Sequence, residues 1–258
     1  MQALGLSDIF VYEKMPCDDA AAVVAAMHRD ASGGRGVVAV VGGSVTMPLK
    51  QAVVQHCSVL SPAAVCIGCV NTLSVQQCGI SRIDGTDSGV LHIIGDNTDW
   101  AGMLACLSRL LDTCTSAAPV TCAVIVGSGA TARSAAFALL HLPQITSTYI
   151  CNRTRARAAD MAAEFNVDSF GLDEDQAPPS IRGRGIVIIS TVSEIQNCTI
   201  PPCHHYYCRY SKPISFPTPL EQGTCRLRRV AASVAPFFRG RFVRLRLRKI
   251  TQCSAHAV

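Results

Sequence analysis

The sequence lacks the features that define several classes of protein. No stretch reaches the roughly 18 uninterrupted apolar residues that a membrane-spanning helix needs, although 49% of the 258 residues are hydrophobic. The first ten residues, MQALGLSDIF, contain no basic segment followed by an apolar core, so we expect no secretory signal peptide. No repeat of fixed period is present, which disfavours a solenoid. Length and composition therefore predict a globular protein with one large domain or two of ordinary size.

The 14 cysteines lack the regular spacing of a disulfide framework. Cys106, Cys122 and Cys151 lie inside apolar runs, where a thiol behaves as a small hydrophobic side chain. Because disulfides persist mainly outside the cytosol, we favour reduced thiols and a cytoplasmic location over a secreted, disulfide-bonded protein.

The formal net charge of +5 is unevenly distributed. Residues 203–258 contain 11 of the 23 lysines and arginines and one of the 18 acidic residues, so the remainder has 12 basic and 17 acidic residues and a net charge of −5. The basic excess therefore belongs to the C-terminal segment alone. A nucleic-acid-binding patch is the less favoured interpretation of this segment. The run CHHYYC within it has no second cluster of ligands, so we predict no metal site.

Two α/β domains are predicted from the alternation of apolar runs and helical patterns. Residues 1–100 contain a helix at 18–31, a strand at 36–42, a helix opening with proline at 48–57, and strands within AAVCIGCVNTL (63–73) and GVLHIIGDNTD (89–99). Residues 101–197 follow a helix at 101–114 with the βαβαβ pattern of a Rossmann-like, doubly wound parallel sheet. Residues 198–258 form a divergent basic tail, for which disorder is one alternative.

The stretch VIVGSGATARS predicts a dinucleotide-binding turn between a strand and a helix. Gly127 permits the tight turn, Gly129 lets the backbone approach a pyrophosphate, and Ala132 replaces the third glycine of the usual fingerprint. The helix N-terminus adds free N–H groups and a positive dipole end. Close packing of strand on helix is the alternative reason for glycine at these positions.

The next strand ends in NRTRAR, where an NAD-binding fold would carry an acidic residue. The segment contains Asn152, Arg153, Thr154, Arg155 and Arg157. Guanidinium groups suit a 2′-phosphate, which an acid would repel. Arginines at a helix start oppose the helix dipole unless an anion lies nearby. The sequence therefore favours NADP over NAD, with a solvated basic helix start as the alternative.

A lysine, an asparagine and an aspartate each follow a strand-like run in the first domain. Lys50 ends SVTMPLK, Asn71 lies in VNTL, and Asp99 lies in GDNTDW. Ligands of α/β sheets bind at the carboxyl ends of strands, where a lysine beside an aspartate can transfer a proton while a hydride moves to or from a nicotinamide. A surface lysine and a helix-capping aspartate are the alternative for isolated residues.

SVTMPLK, VNTL, GDNTDWAG, GSGATARSAAFAL and NRT occur in the order found in the shikimate dehydrogenase family, and the chain resembles its fungal shikimate and quinate dehydrogenases over residues 1–195. The resemblance implies reversible reduction of 3-dehydroshikimate to shikimate, or oxidation of quinate, with NADP in the shikimate pathway of aromatic amino acid biosynthesis. It implies Lys50 and Asp99 as the catalytic pair. It also implies that the substrate is bound by Ser44, Thr46 and Asn71, and the cofactor by Gly127, Ser128, Gly129, Ala130, Thr131, Ala132, Asn152, Arg153, Thr154 and Arg157.

The sequence departs from the family pattern at both ends. The family begins with a strand and a Ser-x-Ser stretch that binds the substrate carboxylate, and this sequence starts after both of them. At the other end, the segment YSKPISFPTPLEQ at 210–222 only partly matches the family's C-terminal motif. From the sequence we therefore expect an N-terminally truncated chain, divergent at its C-terminus, with little dehydrogenase activity. A non-catalytic module that binds or senses shikimate or quinate is the alternative function.

Overall fold

The computed structural model divides the chain into two compact units. The first consists of Met1–Asn97 and Phe238–Val258, and the second of Thr98–Phe237. The described residues are 10–31, 40–78, 82–83, 86–87, 90–112, 119–171, 178–181, 185–191, 205–209 and 242–247. Most of the predicted tail, 198–258, lies outside them, and the predicted domain limits remain a prediction. Within the described residues, no helix is long and apolar enough to cross a membrane.

The first unit contains a mixed six-stranded sheet and a separate two-stranded pair. The strands in chain order are β1 (Phe10–Met15), β2 (Val40–Ser44), β3 (Val59–Leu60), β4 (Thr72–Cys78), β5 (Arg82–Ile83), β6 (Thr86–Asp87) and β7 (Val90–Asp96), with β13 (Phe242–Leu247) near the C-terminus. The large sheet has the order β1-β13-β2-β4-β7-β3, and β5 pairs with β6. β3 runs parallel to β7, whereas the other neighbours in the large sheet are antiparallel.

The helices of the first unit are α1 (Ala20–Ala31), α2 (Leu49–Ala52), which continues as a 3-10 turn (Val53–His56), and α3 (Pro62–Ile67). The predicted helix at 18–31 is confirmed, and the Asp19 carboxylate accepts a 2.9 Å hydrogen bond from the Ala21 amide at its start. α1 buries Val23 and Met27 in a core with Leu73 of β4 and Ile93 of β7. The two strands beside this core approach closely, because a Cβ on Gly42 of β2 would lie 2.7 Å from the Leu73 carbonyl oxygen.

The prediction of a strand at the start of AAVCIGCVNTL is wrong. α3 occupies this segment, since Ser61 caps its first turn, Pro62 suits the first helical position, and Gly68 ends it in the left-handed conformation at φ 69°. The helix buries Ala64 and Ile67, which lie three residues apart on one face. These end signals outweigh the apolar run, and the strand begins only at β4.

The second unit is built on a parallel five-stranded sheet, as predicted. Its strands are β8 (Val120–Val126), β9 (Ser147–Asn152), β10 (Asp168–Gly171), β11 (Gly185–Ser190) and β12 (His205–Arg209), in the order β10-β9-β8-β11-β12. Its helices are α4 (Asp99–Asp112), α5 (Ala130–Leu139) and α6 (Arg155–Phe165), with a 3-10 turn at Pro179–Ile181. From β8 the chain adds β9 and β10 on one side and then β11 and β12 on the other. The point between β8 and β11 where the strand order switches sides is where doubly wound folds bind ligands.

Packing around β8 explains why the second unit's pattern is so clear in the sequence. Val124, Ile125 and Val126 are all fully buried, which is typical of a central parallel strand covered on both faces. α4 packs on α5 through an aromatic cluster in which the ring centroids of Trp100 and Phe137 lie 5.1 Å apart.

Candidate functional site

Polar residues of the first unit gather at one edge of its sheet. Ser44 at the end of β2 pairs with Thr72 at the start of β4, and Thr72 pairs with Asp96 at the end of β7. The predicted substrate residues Thr46, Lys50 and Asn71 lie in or beside the segments that leave this edge. The structure therefore brings together the four residues predicted in the first unit to bind or transform a substrate.

Lys50 lies in α2, where its side chain is buried at 5% exposure. A turn precedes this helix, with a cis Met47–Pro48 peptide bond and a 3.0 Å hydrogen bond from the Leu49 amide to the Thr46 carbonyl. The Lys50 carbonyl accepts a 2.8 Å bond from the Val70 amide, next to Asn71. Because lysine is rarely buried to this extent without a partner or a task, the surface-lysine alternative is wrong for this position.

Asn71 is also buried, at 6% exposure. Its amide donates to the Asp96 carbonyl at 2.9 Å, and its carbonyl accepts from the Val45 amide at 2.7 Å. The Thr72 hydroxyl donates to Oδ1 of Asn71 at 2.8 Å and orients the side-chain amide. Backbone and side chain are thus both held in place at the sheet edge.

Two further residues at this edge, Ser61 and Asp96, were not singled out from the sequence. The Ser61 hydroxyl donates to Oδ1 of Asp96, and that oxygen also accepts from the Asn97 amide at 2.7 Å. The Asn97 side chain donates to the Cys69 carbonyl at 3.1 Å. The serine before Pro62 is a helix-cap signal in the sequence, but its partner 35 residues away has no local signal.

Asp99 belongs to the second unit and begins α4 with its side chain buried at 5% exposure. An acidic side chain in the first turn of a helix interacts favourably with the positive end of the helix dipole.

The glycine turn lies between β8 and α5, as predicted. Gly127 has a φ of 115°, which side chains rarely adopt, and its amide donates to the Cys151 carbonyl at 2.8 Å. Gly129 precedes α5, and a Cβ built there would meet nothing within 4 Å. Because the first N–H groups of a helix have no intrahelical acceptor, those of Ala130, Thr131 and Ala132 can donate to a bound anion. A pyrophosphate fits such a cradle.

Asn152 joins the glycine turn to the arginine turn, which is the segment 152–157 from the end of β9 to the first residues of α6. The Asn152 amide nitrogen lies 3.1 Å from Oγ of Ser128 and 3.2 Å from the Thr154 carbonyl, and donates to both. Arg153 and Arg157 are exposed, and the first turn of α6 contains no acidic residue. The structure therefore places a cationic, solvent-accessible segment directly beside the glycine turn.

Another contact fixes α5 against α6. Arg133 in α5 is 8% exposed and binds the carboxylate of Glu164 with both terminal nitrogens, one at 3.0 Å. The hydrogen bond from Arg133 lowers the pKa of Glu164 below its usual value. The Arg133 guanidinium also lies 5.5 Å from the Phe165 ring centroid. These contacts hold the helix that supplies the cradle's donors.

Family models and curated relatives match parts of this chain. Residues 1–73 match the family model for the shikimate dehydrogenase substrate binding domain, and residues 113–200 match that for shikimate / quinate 5-dehydrogenase. The quinate repressor protein of Emericella nidulans is 33% identical over 135 residues, covering 48% of this chain and 14% of the repressor. The pentafunctional AROM polypeptide of Eremothecium gossypii is 37% identical over 124 residues, covering 48% of this chain and 7% of the polypeptide. The chain thus matches a small part of the length of these relatives.

Solved structures support the fold. A shikimate dehydrogenase in complex with NADP+ superposes with a TM-score of 0.50 at 24% identity, covering 74% of this chain and 61% of that chain. The quinate dehydrogenase from Corynebacterium glutamicum in complex with NAD gives 0.52 at 22% identity, covering 74% and 63%. At these identities the similarity shows a shared two-domain α/β fold with a Rossmann-like second domain. The two family models, which together cover more than half of the residues, show that the chain belongs to the shikimate and quinate dehydrogenase family.

Proposed function

We propose that this protein is an NADP-dependent shikimate or quinate dehydrogenase, catalysing reversible hydride transfer between NADPH and 3-dehydroshikimate. The observation that carries the proposal is the burial of Lys50 at a sheet edge shared with Asn71. A buried ammonium group beside hydrogen-bonding side chains suits proton transfer to a bound hydroxyl or carbonyl. Membership of the family supplies the substrate class.

In this proposal Lys50 moves the proton at the reacting oxygen of the substrate. It donates to the carbonyl oxygen of 3-dehydroshikimate during reduction and takes the proton from the hydroxyl of shikimate during oxidation. Asp99, at the start of α4, is the second member of the proposed catalytic pair. Ser44, Thr46 and Asn71 bind the ring hydroxyls, since their side chains offer both donors and acceptors.

The second unit would hold the cofactor through two adjoining segments. The turn from Gly127 to Ala132 binds the pyrophosphate with backbone N–H groups, and Ser128 and Asn152 link it to the arginine turn. Arg153 and Arg157, with Thr154, bind the 2′-phosphate by charge-assisted hydrogen bonds. When bound, NADPH supplies the hydride that reduces the carbonyl carbon. These residues fit NADP better than NAD, because β9 ends at Asn152, where an NAD-binding fold carries an acidic residue.

A cytoplasmic location and a small-molecule partner complete the proposal. Seven cysteines of the described residues, among them buried Cys69, Cys122 and Cys151, are free thiols, which suits a reducing compartment. We propose no nucleic-acid partner and no membrane partner.

Steady-state kinetics with NADP and either shikimate or quinate test the proposal. Turnover of about 1 s⁻¹ or more would lie in the ordinary enzyme range, and it would contradict the low activity expected from the departures at both ends of the sequence. Lys50→Ala should lower kcat by about 10²–10⁴-fold, the usual contribution of a general acid–base group, and leave the Kd for NADPH unchanged. Lys14→Ala is the matched control, since Lys14 is an exposed lysine of the same unit. A loss of less than tenfold on Lys50→Ala would contradict the proposed role.

A non-catalytic sensor of shikimate or quinate is the second candidate. It is favoured by the 33% identity to a quinate repressor protein over 135 residues. Calorimetric titration combined with the NADP reduction assay separates the two functions, because a sensor binds shikimate or quinate without reducing NADP. Failure to bind either compound would contradict both candidates.

A further inference from the structure

Ser61 and Asp96 form a hydrogen-bonded pair at the sheet edge that carries Asn71 and Lys50. Oγ of Ser61 accepts from the Ala64 amide at 3.1 Å as the cap of α3, while the Ser61 amide donates to the Gly95 carbonyl at 2.9 Å. The pair therefore fastens the end of β7 to the start of α3 through both backbone and side chain.

A chain of hydrogen bonds passes from this pair to Asn71. The carbonyl of Asp96 accepts from the Asn71 amide, and the Asn71 carbonyl accepts from the Val45 amide. Asn71 thus lies between Asp96, at the end of β7, and Val45, the residue after β2, and is hydrogen-bonded to both. Asp96 holds Asn71 with its carbonyl, while its carboxylate is held by Ser61 and Asn97.

We propose that the Ser61–Asp96 pair is a positioning device for the substrate site, holding Asn71 and Asn97 where the hydroxyls of a cyclic polyol acid bind. The inference rests on the proposed function and extends it to two residues that need not touch the substrate. Misplacing a binding group by about 1 Å can cost on the order of 10²-fold in rate. The pair acts through Asn71, so its loss should weaken substrate binding and leave the cofactor site of the second unit unaffected.

The test compares four variants of the full chain. Ser61→Ala and Asp96→Ala remove the contact, and Asp96→Asn keeps an acceptor oxygen at the same place. Ser58→Ala is a matched control, because the Ser58 hydroxyl accepts from the Ile93 amide at 3.1 Å in the same pair of strands. Removing that hydroxyl perturbs β7 three residues earlier without touching Asp96.

The first readout is amide hydrogen exchange by NMR, which needs no ligand. Exchange at Asn71 and Asn97, measured relative to the Val23 amide of α1, which donates to the Asp19 carbonyl at 3.2 Å, should rise by about tenfold or more in Asp96→Ala and Ser61→Ala. It should stay near the unmodified protein's value in Asp96→Asn. Global destabilisation would accelerate exchange at all three amides together, so the ratio isolates a local effect. An unchanged ratio in both alanine variants would overturn the proposal.

The second readout is kinetic. The KM for shikimate should rise by roughly ten- to a hundredfold in the alanine variants, with a smaller change in kcat, since uniform binding is lost. The Kd for NADPH should not change. An equal effect of Ser58→Ala, or no recovery in Asp96→Asn, would show a merely structural role. If the unmodified protein neither binds nor turns over shikimate or quinate, the proposed function fails, and the exchange ratio still decides the positioning of Asn71.

Discussion

Cofactor selectivity should depend on Arg153 and Arg157 at the start of α6. Both side chains are exposed, and the segment is joined to the glycine turn by the Asn152 side chain. Replacing either arginine by alanine should weaken NADPH binding and leave NADH binding unchanged, because only NADPH carries the 2′-phosphate. The selectivity ratio, rather than affinity alone, therefore reports on the proposed contact.

The expected size of the effect follows from the exposure of the two arginines. A hydrogen bond to a charged group contributes about 1.5–3 kcal/mol, and solvent screening at an exposed site favours the lower end of that range. Each substitution should therefore raise the Kd for NADPH by about tenfold. The difference in NADPH affinity between the unmodified protein and each variant should become smaller with added salt, because the Debye length falls to about 3 Å at 1 M ionic strength.

Fluorescence titration with NADPH and NADH measures both affinities. Arg155→Ala is the control, since Arg155 is an exposed arginine of the same turn that we do not assign to the phosphate. A parallel loss of NADPH and NADH affinity in Arg153→Ala and Arg157→Ala would show that the turn supports the fold rather than the 2′-phosphate. Equal affinity of the unmodified protein for the two cofactors would refute the assignment of NADP.

Two further predictions concern backbone conformation and thiol reactivity. Gly127→Ala should lower the free energy of unfolding, measured with urea, by about 1–3 kcal/mol, because φ is 115° there. Gly102→Ala, on the exposed side of α4, should instead be neutral or stabilising by up to about 1 kcal/mol, since its added Cβ meets nothing within 4 Å. Burial raises the pKa of Cys57 from 9.0 to about 11, so its alkylation by iodoacetamide should be far slower than that of exposed Cys66 at pH 8.5 and should accelerate as the pH rises toward 11. Equal rates for the two thiols at pH 8.5 would contradict the burial of Cys57.

Much of the second unit could be predicted from the sequence. β8 and β11 are continuous apolar runs of the kind that a central parallel strand requires, and the glycine turn marks where β8 gives way to α5. The short edge strand β10 was not predicted. Of its four residues, Phe170 and Gly171 are buried. A strand this short contains too few residues to show a period of its own.

The first unit was harder to predict because its sheet is assembled from distant segments. β13 lies between β1 and β2 and pairs antiparallel with both, although it is separated from β2 by almost 200 residues of sequence. Nothing local in β1 or β2 indicates such a partner. The sequence of β13, FVRLRL, alternates apolar and basic residues, but the surrounding residues are also rich in arginine, so this strand-like period does not stand out.

The residues of the candidate site can be predicted from the sequence only in part. Lys50, Asn71 and Asp99 could be chosen because each residue type follows an apolar run and suits proton transfer or hydroxyl binding. Their support could not be chosen in this way, because Ser61 meets Asp96 only when β3 and β7 adopt one particular parallel register. A slip of that register by one residue would turn the Asp96 side chain to the opposite face of the sheet and leave Ser61 facing a different residue of β7. Chemistry can thus be inferred from residue types and order, whereas the positioning of Asn71 is a property of the strand register and becomes visible only in the folded sheet.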